Sequence, residues 1–311
     1  MEKSIAITGA TGLLGAQLAN QFLEKEFEVF ALVKDENARS LLSKDVTRVY
    51  GDIGNKSDME YFIQRSNPLR FAHLAAQTQA YDSLRYPYQT FYNNFVGTLN
   101  VLDALREYGQ CSSIIVASSD KAYGEMIGDS YVETHPLNGI YPYDASKSAT
   151  DIVAQSYRLT YDLPIATTRA CNIYGIGDFN KQRLIPAIVN AHIKHIPFVM
   201  RNGGADVREY INVLDVVKAY ERIFEHIESS NTYGSFNISS GDRYSTIEIF
   251  EFVQNIIGKD IPSQIVTETT LEIRKQYMSS ERLSANTEWR SSIPFAEGLP
   301  VAVNWYLENL K

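Results

Sequence analysis

Thr8-Gly9-Ala10-Thr11-Gly12-Leu13-Leu14-Gly15 follows the apolar run Ile5-Ala6-Ile7 and opens onto apolar residues at helical spacing, Leu13, Leu14, Ala16, Leu18, Phe22 and Leu23. A strand that ends in glycines and leads straight into a helix has a definite use. The glycines let the backbone turn sharply and approach a pyrophosphate, whose charge is met by free N–H groups at the helix N-terminus. The stretch therefore predicts that Gly9, Thr11, Gly12, Leu13, Leu14 and Gly15 cradle a dinucleotide.

Outward from this turn the pattern repeats. Apolar runs at 4–8, 28–33, 47–50, 71–74, 113–117 and 165–169 alternate with helical stretches, such as Val96, Leu99, Val101, Leu102 and Leu105. Such alternation is the mark of βαβ units and a parallel sheet. Past Tyr174 it stops: 174–212 mixes loops with a helix over 184–195, 213–226 is again helical and core-facing, and helices return near 246–257 and 298–310. The expected fold is α/β, a Rossmann-type doubly wound parallel sheet with a smaller, interleaved C-terminal α/β substrate-binding domain. Residues 1–173 plus about 213–240 form the dinucleotide-binding domain, and about 174–212 plus 241–311 the cap.

Composition narrows the partners. Hydrophobic residues at 44% and charged residues at 21% are the balance of a soluble globular protein. A net charge of −8 with no basic stripe argues against nucleic acid, and no apolar run approaches a membrane span. Cys111 and Cys171 stand alone in apolar segments, as buried thiols do in a reducing compartment. Met1 leads directly into folded-domain sequence without a leader. A cytoplasmic protein with no metal ion, no nucleic-acid partner and no membrane contact is expected.

Two further stretches carry chemistry. The strand at 28–33 runs into Lys34-Asp35, and Asp35 lies about 20 residues past Gly15, where a carboxylate binds a ribose 2′-hydroxyl. NAD is the expected cofactor on that ground, while Lys34 and Arg39 beside it leave NADP open. Tyr143-Asp144-Ala145-Ser146-Lys147 places a phenol and an ammonium four residues apart on one helix face. The cation is expected to lower the phenol's pKa towards the range of a general base. Ser118-Ser119-Asp120-Lys121 follows the strand at 113–117, at the carboxyl end where parallel sheets place ligand sites.

Taken together, GATGLLG, Gly51-Asp52-Ile53, His73-Leu74-Ala75-Ala76-Gln77, SSDKAYG, YPYDASK and Arg169-Ala170-Cys171-Asn172-Ile173-Tyr174-Gly175 occur in the order seen in extended short-chain dehydrogenases acting on sugar nucleotides, and the chain resembles that family from its start to about Tyr220. The resemblance implies a catalytic triad of Ser119, Tyr143 and Lys147, and a tightly bound, regenerated NAD lined also by Asp52, Ile53, Leu74, Ala75, Ala76 and Asn94. Asp120-Lys121 looks like the acid–base pair of CDP-glucose 4,6-dehydratases, whereas simple 4-epimerases usually carry unreactive residues there. By that resemblance Tyr143 takes the C4-hydroxyl proton during oxidation. Lys121, if desolvated and neutral, removes the C5 proton, protonated Asp120 releases the C6 hydroxyl as water, and the hydride returns to C6.

For the sugar nucleotide the resemblance implies Gln77, Asn172, Arg208 on the diphosphate, and a base pocket of Arg183, Leu184, Phe198 and Arg201, with Arg274 as a second phosphate contact. It also implies a homodimer through the helices at 90–108 and 143–161. Ala122-Tyr123-Gly124 and Tyr141 depart from the CDP-glucose pattern, so nucleotide and sugar stay open. An epimerase or 4-keto-reductase on the same scaffold is the alternative. A binding protein without turnover would have no need of Ser119, Tyr143 and Lys147 together.

Overall fold

The computed structural model describes residues 3–126, 128–267 and 273–311. Its first half runs β1 (Ser4–Thr8), α1 (Leu13–Glu24), β2 (Glu28–Val33), β3 (Thr47–Tyr50), α2 (Lys56–Ser66), β4 (Arg70–His73), α3 (Ala80–Arg85), α4 (Pro87–Phe91), α5 (Gly97–Tyr108), β5 (Ser113–Ala117), α6 (Pro142–Tyr161) and β6 (Ile165–Ala170). The second half runs β7 (Asn172–Tyr174), α7 (Leu184–Lys194), β8 (Phe198–Met200), β9 (Val207–Asn212), α8 (Val213–Ser230), β10 (Ser235–Ile238), β11 (Arg243–Ser245), α9 (Thr246–Ile257), β12 (Ser263–Ile265), β13 (Lys275–Gln276), α10 (Glu281–Thr287) and α11 (Phe295–Asn309).

Seven strands form one sheet in the order β10-β6-β5-β4-β1-β2-β3, every pair parallel. The order reverses between β1 and β4, and ligands of such sheets bind at that switch point, beyond the carboxyl ends of the strands. Every residue of β1 is buried, and its side chains alternate between the two faces. Ile5 and Ile7 join the core under α1 and α8 with Phe22 and Phe224, while Ala6 joins the one under α2 and α5 with Phe62, Leu102 and Leu105. Across the top, His73 of β4 bonds Thr8 Oγ1 at 2.7 Å and Thr98 Oγ1 at 3.0 Å, pinning β1, β4 and α5 together.

A second sheet has the order β11-β9-β13, with β7 also paired to β9, and β12 pairs β8. The core of this half draws on 174–210 and 249–310, including Tyr174, Ile188, Phe250 and Tyr306. Met278, Leu283 and Trp289 pack instead on the core under α1 and α8. Among the described residues no helix is long and apolar enough to cross a membrane.

The helical path expected over 90–108 is broken. Between α4 and α5 lies a π-helical turn, Tyr92–Val96, which carries Asn94 inward. Such wide turns insert one extra residue and are frequent at functional sites.

Candidate active site

Gly9 and Gly15 show why the turn after β1 needs glycine. Gly9 has φ +73°, and a Cβ there would lie 2.6 Å from the Ala75 nitrogen; at Gly15 it would lie 2.2 Å from the Gly9 carbonyl oxygen. Gly12 caps α1 without a side-chain hydrogen bond, and no acidic residue occupies the first turn. The helix N-terminus thus offers its N–H groups and positive dipole end to an anion. This cradle and the β4 loop, Leu74-Ala75-Ala76, form one end of a cleft of about 750 Å³.

At the other end stands the turn after β5. Ser119 is extended and caps a 3₁₀ turn, Asp120–Tyr123, its Oγ accepting from Lys121 N at 3.2 Å and donating to Asp120 Oδ1 at 2.9 Å. Asp120 is 4% exposed, and its Oδ2 has no hydrogen-bond partner among the described residues. Lys121 is half-buried and donates from Nζ to Gln276 Oε1 at 2.8 Å. Behind the turn, Arg169 pairs with Asp151 of α6 at 2.8 Å and donates to the Tyr123 hydroxyl at 2.7 Å, all three buried. Removing one partner of such a buried pair leaves an uncompensated charge, so the buttress is tightly specified.

Helix α6 begins with Pro142 in its first turn, where the missing N–H costs nothing. Its start is locked to the serine turn, since Ser148 Oγ donates to the Ala122 carbonyl at 2.8 Å. Tyr143 and Lys147 therefore project from one buried face onto the cleft wall. Lys147 Nζ donates to the Ala117 carbonyl at 2.8 Å. Burial lowers the Lys147 pKa to about 8, with Asp151 pulling the other way. The expected lowering of the Tyr143 pKa is not found. Burial raises it, and the Ser119 hydrogen bond and the Arg183 charge offset only part of that rise. Desolvating a phenolate outweighs the neighbouring dipoles and charges. His73 is held neutral, at about 3, by burial and by the Lys147 charge.

Of the residues expected at the site, Gly9, Thr11, Gly12, Leu13, Leu14, Gly15, Asp52, Ile53, Leu74, Ala75, Ala76, Gln77, Ser119, Asp120, Lys121, Tyr143, Lys147, Asn172, Arg183 and Leu184 share the wall of this cleft. Six are elsewhere. Asp35 is exposed and accepts from Asn37 N at 2.9 Å in a local turn; Lys34, paired with Asp52 at 2.7 Å, and Arg39, stacked over Phe179 at 4.7 Å, reach the wall in its place. Asn94 lies behind the wall, where it accepts from Gln77 N at 2.7 Å and donates to the Gln77 carbonyl and Ser146 Oγ. Phe198 is a core aromatic stacked on Phe250. Arg201 is exposed over the Tyr81 ring at 4.6 Å. Arg208 is buried, donating to the carbonyls of Val207, Ile273 and Arg274, and Arg274 itself is exposed off the cleft. Three backbone carbonyls thus accept from Arg208, one on its own strand and two on the segment leading into β13.

Sequence reasoning missed the apolar and polar walls supplied by Leu32, Asn93, Cys171, Phe179 and Tyr210. Burial, with the charges of Glu209 and Asp120 added, pushes the Cys171 thiol well up, so it stays protonated and unreactive. Glu209 was missed as well. It is fully buried in β9, accepts from Ser239 Oγ at 2.8 Å and Met278 N at 2.9 Å, and burial raises its pKa to about 7, the Asp120 charge adding to the rise.

A carboxyl whose pKa is 4.5 unfolded and about 7 folded favours the folded state fully below pH 4.5 and loses that contribution as pH rises through 7. Glu209→Gln should remove this dependence. The variant should match wild type near pH 4.5 and exceed it at pH 8 by about 2–3 kcal/mol. Urea midpoints at the two pH values check this; an equal difference at both would show that Glu209 does not titrate in that window.

Comparison with known proteins places these features in company. The profile of the NAD dependent epimerase/dehydratase family matches residues 5–239. A trifunctional UDP-glucose 4,6-dehydratase/UDP-4-keto-6-deoxy-D-glucose 3,5-epimerase/UDP-4-keto-L-rhamnose-reductase of Arabidopsis thaliana is 26% identical over 99% of this chain and 47% of its own length. The chain thus spans about half of that relative. A dTDP-glucose 4,6-dehydratase of Xanthomonas campestris is 27% identical over 97% of this chain and 93% of its own. The crystal structure of a Thermus thermophilus UDP-glucose 4-epimerase complexed with NAD superposes with a TM-score of 0.89, at 26% identity, over 97% of this chain and 98% of that one.

Proposed function

The chain belongs to the NAD dependent epimerase/dehydratase family, and from that premise we propose that it is a nucleotide-sugar 4,6-dehydratase, converting an NDP-hexose to its 4-keto-6-deoxy form. The observation that carries the reading is the wall shared by Ser119, Asp120 and Lys121 with Tyr143 and Lys147. An epimerase needs only groups that handle the C4 proton; an acid and an amine side by side are what water elimination requires.

NAD fits the cradle, because the glycine turn packs backbone on backbone without side chains and α1 opens with uncapped N–H groups. When bound it supplies a two-electron acceptor that is restored within the cycle, so no reduced cofactor accumulates. Gly9, Thr11, Gly12, Leu13, Leu14 and Gly15 would hold its phosphates, with Asp52, Ile53, Leu74, Ala75 and Ala76 along it. Lys34 and Arg39 at the ribose end are compatible with NADP as well.

Tyr143 accepts the C4-hydroxyl proton as its phenolate, a form that the positive nicotinamide of bound NAD would favour over the buried neutral phenol, with Ser119 holding the same oxygen and Lys147 beside them. The resulting ketone acidifies C5–H. Lys121 removes that proton, the C–H electron pair becomes the C5–C6 double bond, and the C6–O bond breaks as Asp120 supplies the proton that makes the leaving group water; Lys121 then gives a proton back to C5 as the two electrons taken from C4 are returned at C6. Gln77, Asn172, Arg183 and Leu184 face the sugar nucleotide. Residues 1–173 with about 213–240 form the dinucleotide lobe and about 174–212 with 241–311 the cap, although Met278, Leu283 and Trp289 pack on the dinucleotide lobe. A cytoplasmic homodimer completes the reading, joined through the helical stretch 90–108, which ends α4 and runs through α5, and through α6, where Phe91, Ile152, Leu159 and Tyr161 are exposed. Sedimentation of a monomer at micromolar concentration would remove the dimer alone.

The resemblance to a solved epimerase keeps a second reading open, epimerisation or keto-reduction on the same scaffold. Mass spectrometry of a panel of nucleotide sugars incubated with the protein separates them. Loss of one water supports the dehydratase. An isomer of unchanged mass marks the epimerase, and a gain of two hydrogens with a nicotinamide donor marks the reductase.

A further inference from the structure

We infer that Gln276 is a positioning residue for water elimination, holding the Lys121 amine in place through an uncharged hydrogen bond. The inference rests on the dehydratase reading and adds a residue that lies outside the cleft wall.

Three observations meet here. Lys121 Nζ donates to Gln276 Oε1 at 2.8 Å, across 155 positions of sequence. Gln276 is fully buried, its side chain lying between the Lys121 amine and the Tyr131 hydroxyl. Its strand is fixed from both sides: β13 pairs with β9, with Gln276 opposite Arg208, and Tyr131 N donates to the Tyr277 carbonyl at 3.0 Å.

A buried amide costs free energy unless its polar atoms are met. Packing of β13 alone therefore does not account for glutamine at this position, where an apolar side chain of the same size would serve better. The other end of the amide does account for it. Lysine has a long, flexible stem, and a general base must present its nitrogen at a fixed place. A carboxylate at 276 would fix that nitrogen as firmly but hold it as an ammonium, which cannot accept the C5 proton. An amide oxygen accepts one N–H and leaves the rest of the nitrogen turned to the cleft, with no charge to hold the proton in place.

Two variants test this, each checked for folding by circular dichroism. Gln276→Leu should lower kcat for water loss by about 10²-fold, the cost of a misplaced group, with KM unchanged. Oxidation at C4, read by trapping the ketone with borodeuteride and locating deuterium at C4, should persist. Gln276→Glu keeps the hydrogen bond and the shape, and should move the pH at which C5–H exchange with deuterated water half-rises upward by roughly one unit or more. Tyr131, whose hydroxyl meets the Gln276 side chain, and Arg208, opposite it on β9, also face the new carboxylate, whereas Tyr143, Cys171 and Glu209 feel the Asp120 charge without meeting position 276.

Wild-type water loss in Gln276→Leu, or equal loss of oxidation and elimination, would overturn the role. So would an unmoved exchange profile in Gln276→Glu, which decides the matter if the leucine variant fails to fold. A wild-type protein that oxidises C4 without ever releasing water would instead remove the dehydratase reading on which the inference stands.

Discussion

Tyr143→Phe should abolish oxidation at C4 while leaving the nucleotide sugar bound. Tyr143 is 8% exposed on α6, so phenylalanine keeps the ring in its packing and removes only the oxygen that accepts a proton. Lys147 would remain on the Ala117 carbonyl and Ser119 on Asp120, since neither contact depends on the phenol. Loss of one general base costs about 10²–10⁴-fold in rate. Titration calorimetry should give substrate affinity near that of wild type while turnover falls by this factor. Near-normal turnover in the folded variant would rule out the phenol as the proton acceptor.

Asp120→Asn and Lys121→Met should separate the second half of the reaction from the first. Asparagine keeps an oxygen for the Ser119 hydroxyl but has no acidic proton for the leaving group. Methionine keeps the stem of Lys121 and loses the amine that Gln276 holds. Each change should lower water loss by about 10²–10⁴-fold. Tyr143 and Ser119 are untouched, so borodeuteride should still trap a C4 ketone, and the Lys121 variant should show little C5 exchange with deuterated water. Full dehydration by both variants would move the assignment to an epimerase or reductase.

Much of this site was legible because its parts are local in sequence. The strand–glycine–helix turn, the Tyr143/Lys147 pair and the turn after β5 each depend on neighbours within a few residues, and their spacing alone put them on the right elements. Six strands of the main sheet were read to within a residue of their ends. The seventh, β10, was missed because Ser235-Phe236-Asn237-Ile238 is short and alternates polar with apolar, although all four side chains are buried. Helix α2 was passed over for its charge, though Asn55 caps it and Met59, Phe62 and Ile63 mark its buried face.

What failed was long-range. Asp35 sits at a fitting distance from the glycines, but a local turn takes its carboxylate away from the cleft. Arg208 occupies a fitting place in its strand, yet Ile273 and Arg274, 65 and 66 residues onward, supply two of its acceptors. No window of sequence around Lys121 contains Gln276. Residues recruited by a fold from distant strands leave no periodicity to read.

The main sheet is left after β6 for β7 and β9, re-entered at β10, and left again for β11. The chain therefore passes between the two sheets three times by β11, and residues after β13, among them Met278, Leu283 and Trp289, pack back on the core under α1 and α8. The turn that carries Asp120 and Lys121 follows β5 of one sheet and Gln276 stands in β13 of the other, so the 2.8 Å bond from Lys121 to Gln276 is itself a stitch from sheet to sheet.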